Sequence, residues 1–366
     1  MDDRWADLAG KLAAVARLAE SAGVTRVVIR EPATLAWLFG ARVHVPQTLD
    51  AACFDVLVEP GVGGAPPGLT VVTNAIEAPR LRDTELAGLP ASWVVVPWWE
   101  PRDTRLPTGA GTGSDRPRGA DVDLSAGLTA ARRVLTPGEQ RRLAQVARDA
   151  AAAATRAAHR ITPEHSEYAA AGAVADELLS AGLDPVVLMV AGGDRGGRHR
   201  HPLPTTAPLG ERAMLVCCAR RHGLVASVTR FVSFAPLSAA DRDAYLALLE
   251  VERVFLDRSR PGARLGDVVA AGTAAYAGAG LEPTEWHRHH QGGLTGWQPR
   301  EFPAHAGSDV RLAAGMAVAW NPSTDRWKVE DTALVRAGGP ELLVDDPAWP
   351  VLTVGDRPRP DVLVRT

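Results

Sequence analysis

The stretch EWHRHHQGGLTGWQPREFP, residues 285–303, carries three of the chain's ten histidines, His287, His289 and His290. Imidazoles at this density suit two kinds of chemistry: ligation of a metal ion, or proton transfer near neutral pH. Arg288 between them counts against a bound cation, because a guanidinium repels one. Gly292, Gly293 and Gly296 let a backbone turn sharply or approach closely, and such freedom is costly to keep without a use. Three other stretches concentrate polar residues near strand ends: RHRHPLPTT at 198–206, RRHGLVASVTR at 220–230 and WNPSTDRWKVEDT at 320–332. In the last, Glu330 and Asp331 stand inside an otherwise apolar run. A carboxylate there must be paired or functional. Strand alternation puts the two on opposite faces, so only one can point into a given pocket. Each patch also has a plainer reading. Residues 198–201 read as a solvated loop, Arg220 and Arg221 as exposed turn residues, and Trp297 and Trp320 as core.

Among the elements that must hold these residues, 4–22 has apolar residues at helical spacing and ends in glycine. VTRVVIRE follows as a strand, and TLAWLFG, DVLVEPG, LTVVTN and SWVVVPW continue an α/β alternation to about Pro101. Residues 102–130 open with a stretch rich in glycine, proline and charge, almost without large apolar residues, and are expected to form a linker. Residues 131–366 form the second domain. Thr136, Pro137 and Glu139 mark the start of a long alanine-rich helix, and Ser166 and Ser238 are candidate N-caps of later ones. PVVLMVAGG, AMLVCCARR, GLVASVTRFVSF, AGMAVAWNPS and KVEDTALVRAG read as strands. Helix pairs interleaved with strands compatible with antiparallel pairing imply an α+β class. AGGDRGG at 191–197 lacks the spacing and following helix of a phosphate-binding loop.

The balance of 40 basic and 43 acidic residues, net −3, implies no general affinity for nucleic acid. The first residues, MDDRWADLAG, are acidic and lack the apolar segment of a secretory leader. No window approaches a membrane span, so no membrane partner is expected. Three cysteines, Cys53, Cys217 and Cys218, make a poor disulfide framework and point to the reducing cytoplasm.

The order of the patches resembles the creatinase/aminopeptidase P family with its pita-bread fold, across essentially the whole chain. HGLVASVTRFV looks like that family's Gly-Tyr-x-x-Asp-x-Thr-Arg strand, HHQGG its His-Gly-x-Gly, and REFP its His-Glu-x-Pro. GMAVAWNPS is similar to Gly-Met-x-x-x-x-Glu-Pro-Gly, and KVEDTALV to the final Arg-x-Glu-Asp strand. The resemblance implies an N-terminal α/β domain, a pita-bread catalytic domain and a homodimer. It also implies two metals on two aspartates, a histidine and two glutamates. Here the aspartate positions are Val216 and Ser227, the first glutamate is Asn321, and only His290 and Glu330 are kept. Two adjacent divalent ions need carboxylate charge, so no metal cofactor is expected. A single ion on His290, Glu330 and one of Cys217, Cys218 or His289 is the weaker alternative.

The metal-free creatinase branch fits the pattern better. HPLPTT at 201–206 is similar to its catalytic-histidine segment. Carried over, His201 (or His199) is the general acid/base, with His290 the second histidine and Glu330 a stabiliser of charge. Arg300 grips a substrate carboxylate, and Thr229, Trp297, Glu301 and Asn321 line the substrate. Thr229 stands where creatinase has a glutamate, so creatine is not the expected substrate. The expected reaction is hydrolysis of a C–N bond in a small, carboxylate-bearing amide, amidine or guanidine. A non-catalytic binding protein, a tailoring enzyme for cyclisation or elimination, and a Xaa-Pro metallopeptidase are the competing classes. His222, His287 and His289 are expected to be bystanders.

Overall fold

A computed structural model of the chain describes residues 5–45, 51–61 and 65–366. The chain divides into two compact units, Met1–Gly138 with His222–Leu224, and Glu139–Arg221 with Val225–Thr366.

The first unit is built on a six-stranded sheet in the order β4-β3-β2-β1-β5-β6. Its strands are β1 Arg26–Ile29, β2 Phe54–Glu59, β3 Gly68–Asn74, β4 Ser92–Val96, β5 Thr112–Ser114 and β6 Val122–Asp123. Its longer helices are α1 Leu8–Ser21, α2 Pro32–Phe39 and α3 Ser125–Arg132. Every residue of α2 after Pro32 is buried, and the helix stops at Gly40 in the left-handed conformation.

The stretch expected to be a linker, 102–130, instead supplies β5, β6 and the start of α3 to this unit. Composition misled because polar anchors supplement its few buried apolar residues, Leu106, Leu124 and Leu128. Asp115 accepts the backbone N–H groups of Arg30 at 2.8 Å and Glu31 at 3.1 Å. Asp121 accepts those of Gly109 and Arg118, and the Arg118 guanidinium donates to the carbonyls of Asp103, Leu106 and Pro107.

The second unit carries helices α4 Pro137–Arg160, α5 Glu167–Ser180, α6 Ala239–Arg258 and α7 Leu265–Gly278. Ser166 and Ser238 cap α5 and α6 as expected, each accepting a backbone N–H three residues on. Its strands are β7 Asp184–Gly192, β8 Arg212–Arg221, β9 Leu224–Ser233, β10 Gly292–Thr295, β11 Ala317–Trp320, β12 Asp331–Arg336 and β13 Gly339–Leu342. They form one sheet in the order β10-β11-β12-β9-β8-β7, with β13 on β12 and an eighth strand, Leu363–Val364, in parallel on β9. Two three-stranded antiparallel sets therefore meet at the β12/β9 junction, where the strand pairing is the single pair Asp331 and Val228. This is the mixed α+β pita-bread architecture that the resemblance implies.

The core packs α6 and α7 against one face of this sheet, with Phe255, Val268, Tyr276, Val318, Trp320, Ala333 and Val335 buried together. Trp320 stacks on Phe255 at 4.8 Å and donates its indole N–H to Ser259, so it packs in the core. Among the described residues no helix is long and apolar enough to cross a membrane.

Candidate active site

Four connecting segments and one strand of the second unit converge where its two strand sets meet. The loop after β7 brings His201. The loop before β10 brings His289 and His290. The chain after β10 brings Arg300, β9 brings Thr229, and the approach to β12 brings Lys328 and Glu330.

His201 and His289 lie edge to face with ring centres 5.0 Å apart and their Nε2 atoms 3.2 Å apart. His290 lies 5.6 Å from His201 and 4.5 Å from His289, centre to centre. The second nitrogen of His289, Nδ1, meets Ser323 Oγ at 3.1 Å. Ser323 is pinned in turn, its backbone N–H donating to the Tyr276 hydroxyl. His289, expected to be a bystander, is therefore a central member of the cluster. It is buried and fixed at both nitrogens, whereas His201 is exposed to solvent. His287 does remain outside, exposed and packed edge-on against Trp286. His222 sits at the turn after β8 with φ 52°, and His199 is exposed and outside the cluster.

Burial pushes all three imidazoles below their ordinary pKa, and the Lys328 ammonium or the Arg300 guanidinium adds to the effect. His290 is held at about 4 and His289 at about 2. The cluster is thus a set of neutral rings with lone pairs to offer.

Glu330 is fully surrounded. Arg300 donates to its Oε1 at 2.8 Å and the Lys328 ammonium to its Oε2. Lys328 also donates to Thr229 Oγ1 at 2.8 Å. Burial alone would raise the Glu330 pKa, but the two cations overcome it and hold the carboxyl down at about 2. Lys328 escaped the sequence reading. Its signal was its place two residues before Glu330, on the same face, where the family pattern has an arginine.

Arg300 differs from expectation. Its two terminal nitrogens serve Glu330 and the carbonyls of Ala319 and Gly293, so its fork is engaged within the protein rather than offered to a substrate. Asn321 is buried, and its Oδ1 has no hydrogen-bond partner among the described residues. Trp297 is buried, and Glu301 beside Arg300 is half-buried. Thr229 faces Lys328 rather than open space. Burial raises the Cys217 and Cys218 thiols to about 12 and about 11, so both stay protonated and are poor ligands.

Asp331 points to the opposite face, as alternation requires. It bridges Arg230 at 2.9 Å and Arg359 at 2.9 Å, and Arg359 also holds Glu252, all of them buried.

Two openings lie in this unit, and one of them is lined by clustered histidines. A cavity of about 630 Å³ is lined by Val269, Thr273, Trp286, Pro303, Ala304 and the histidines His289 and His290, among others. A cleft of about 730 Å³ is lined by Arg198, Arg200, Arg212, Arg288 and Arg326 together with Asp194, Asp241 and Asp325.

A profile of metallopeptidase family M24 matches residues 141–337, more than half of the chain. The chain belongs to this family. Its members include peptide-bond hydrolases, and similar proteins bear such names. The chain is 24% identical over 168 residues to YkvY of Bacillus subtilis, named as a putative dipeptidase, covering 43% of this chain and 45% of that protein. The chain thus spans a little under half the length of that curated relative. Among solved structures, dipeptidase PepE of Mycobacterium ulcerans superposes with TM-score 0.76 at 21% identity, covering 100% of this chain and 99% of that one. Prolidase of Pyrococcus horikoshii gives 0.76 at 14% identity, covering 92% and 98%. Aminopeptidase P of E. coli gives 0.69 at 13% identity, covering 91% and 94%. At these identities the structural likeness speaks for the fold.

The family name implies bound metal, and the residues here do not fit a two-metal centre. Of the four carboxylate positions that the resemblance assigns, only Glu330 is acidic, and both of its oxygens are already bonded to cations. An ion entering beside it would meet Lys328 and Arg300 with one carboxylate to offset them.

Proposed function

We infer that the chain is a hydrolase of a C–N bond in a small amide, amidine or peptide, working through His201 rather than through paired metals. The observation that carries this reading is the pairing of Lys328 and Arg300 on Glu330 beside three clustered histidines. On this reading internal cations stand where the family relies on metal charge. The dipeptidase and prolidase names of similar proteins favour a short peptide or peptide-like substrate.

In the proposed reaction His201, the solvent-facing member, takes a proton from water. The oxygen bonds to the planar carbon, and negative charge develops on the carbonyl oxygen or its nitrogen counterpart. Lys328 supplies positive charge toward it from a fixed position. The C–N bond then breaks and His201 returns the proton to the leaving nitrogen. His289 holds the His201 ring through the Nε2 contact, and Ser323 holds His289. With Arg300 engaged, a substrate carboxylate is placed in the arginine-lined cleft, where Arg198 is exposed. The apolar side of the substrate then falls in the cavity beside Trp286 and His290.

The test is turnover of a panel of dipeptides and N-acyl amino acids by chelator-treated protein, with His201→Ala alongside. Activity is expected to persist in chelator and to vanish in the variant, while substrate binding by calorimetry stays within about threefold. Activity that disappears in chelator and returns with two manganese or cobalt ions per chain would overturn the reading.

A further inference from the structure

We propose that His201, His289 and His290 form a site for one divalent cation of the borderline class, such as zinc, cobalt, nickel or copper. It is distinct from the two-metal arrangement that the residues fail to support. Within the cluster, the ligand nitrogens all lie within 4.8 Å of one another. The tightest pair, Nε2 of His201 and Nε2 of His289, is 3.2 Å apart. Nitrogens bound at about 2.0–2.1 Å to a tetrahedral ion stand roughly 3.3–3.4 Å apart. One edge of a coordination polyhedron is therefore already present, and small ring rotations bring in the third ligand.

Two independent features prepare these rings for an ion. His289 Nδ1 lies against Ser323 Oγ, which can accept its proton and leave the Nε2 lone pair free. Ser323 is held by Tyr276, whose hydroxyl also donates to Gln291, and the Gln291 amide donates to the His289 carbonyl. Such outer partners fix the orientation of a ligating histidine. Separately, His290 Nδ1 is buried without a hydrogen-bond partner among the described residues. A buried ring nitrogen left unpaired is costly, and a ligand removes that cost.

The donor set fixes the class of ion. Three neutral imidazoles with no free carboxylate suit zinc, cobalt, nickel and copper and are poor for magnesium or calcium. His201 is exposed, so it provides the entry path. Lys328 and Arg300 oppose any cation nearby, with Glu330 offsetting one of them. Binding is therefore expected to be weaker than in a closed structural zinc site. The site stands independently of the reaction proposed above. An ion here would occupy the lone pair of His201, so the loaded protein and the protein with His201 free as a base are alternative states.

The test is titration of untagged, chelator-treated protein with cobalt(II), read by visible absorption and by calorimetry. One cobalt per chain is expected, with the intense absorption of a four- or five-coordinate ion. It should be displaced by zinc and unaffected by excess magnesium. His201→Gln, on an exposed position, should weaken binding by more than tenfold, as should His289→Gln, with circular dichroism of both unchanged. Two ions per chain would overturn the proposal. So would no binding, or binding that survives both variants and is lost only in His290→Gln.

Discussion

Lys328→Met is the substitution that tests the site most directly. The variant keeps the length of the side chain and removes the ammonium. Glu330 then retains only Arg300, and Thr229 Oγ1 loses its donor. The present pairing holds the Glu330 carboxyl at about 2 against an ordinary 4.5. A depression of that size favours the charged form by about 3 kcal/mol, even after burial is opposed. Because this carboxyl is depressed, its stabilising share is present above pH 4.5 and is lost as the pH falls toward 2. Breaking a buried pair from one side costs about 3–5 kcal/mol, and Lys328→Met should lie in that range at pH 7. Glu330→Gln strands two cations and should cost a similar amount. In the double variant the new amide still accepts from Arg300, and no ammonium is left unpaired. Its cost should fall short of the sum by roughly 2–3 kcal/mol. Urea unfolding followed by tryptophan fluorescence measures all three. Strict additivity within about 0.5 kcal/mol would refute the idea that Lys328 and Glu330 act as one unit.

Three other outcomes follow from the same structure. Asp331→Asn should destabilise by about 3 kcal/mol or more, because Arg230 and Arg359 lose their shared counter-ion, yet turnover per folded molecule should hold; a loss of kcat at intact fold would contradict the separation of faces. Burial raises the Asp115 carboxyl from 3.8 to about 6, so folding favours its protonated form. Its contribution to the stability of the first unit should be fully present below pH 3.8 and fall by about 3 kcal/mol as the pH rises through 6, flat thereafter. Exchange of the Arg30 and Glu31 amides at pH 5 and 7.5 reads this, and Asp115→Asn should flatten the difference. Gly292 has φ +106°, and an added Cβ would collide with the Ala319 carbonyl oxygen. Gly292→Ala should therefore cost more than about 2 kcal/mol by thermal melting, and an unchanged midpoint would show that the backbone there yields freely.

Some of this was legible in the sequence because local rules governed it. Alternation alone separated Glu330 from Asp331, and the caps at Ser166 and Ser238 stood where side-chain oxygens must meet free N–H groups. The cost of keeping glycine at 292 pointed to a close backbone approach, and the Ala319 carbonyl is what it meets. His289 could not be placed in this way. A 3-10 turn, Glu285–Arg288, precedes it and Gly292 opens the next strand, so neither helical nor strand periodicity says which of two adjacent histidines faces His201. Arg300 was matched by its neighbour in the motif, but its partner Glu330 lies 30 residues away and is found only in space. The 102–130 stretch failed for a related reason. Its order comes in part from Asp115, Asp121 and Arg118 bonding backbone groups, and a count of apolar residues is blind to that.

The segment 327–331 joins these two kinds of information. Its odd members face one way: Trp327 and Val329 enter the core, Trp327 against Phe231 and Tyr245, and Asp331 ties Arg230 to Arg359. Its even members, Lys328 and Glu330, face the site. Each rigid odd position therefore fixes the charge beside it, and Lys328 cannot move far without lifting Trp327 or Val329 out of packed surroundings. A cation held in this way needs no reorganisation when negative charge develops near it, and that property makes a fixed dipole or charge effective in catalysis. On the proposed reading, a substrate already bound gains little from Lys328 until the transition state. Lys328→Met should then lower kcat while KM moves far less. If KM rises and kcat is kept, Lys328 serves binding, and the charge stabilisation must be sought elsewhere in the site.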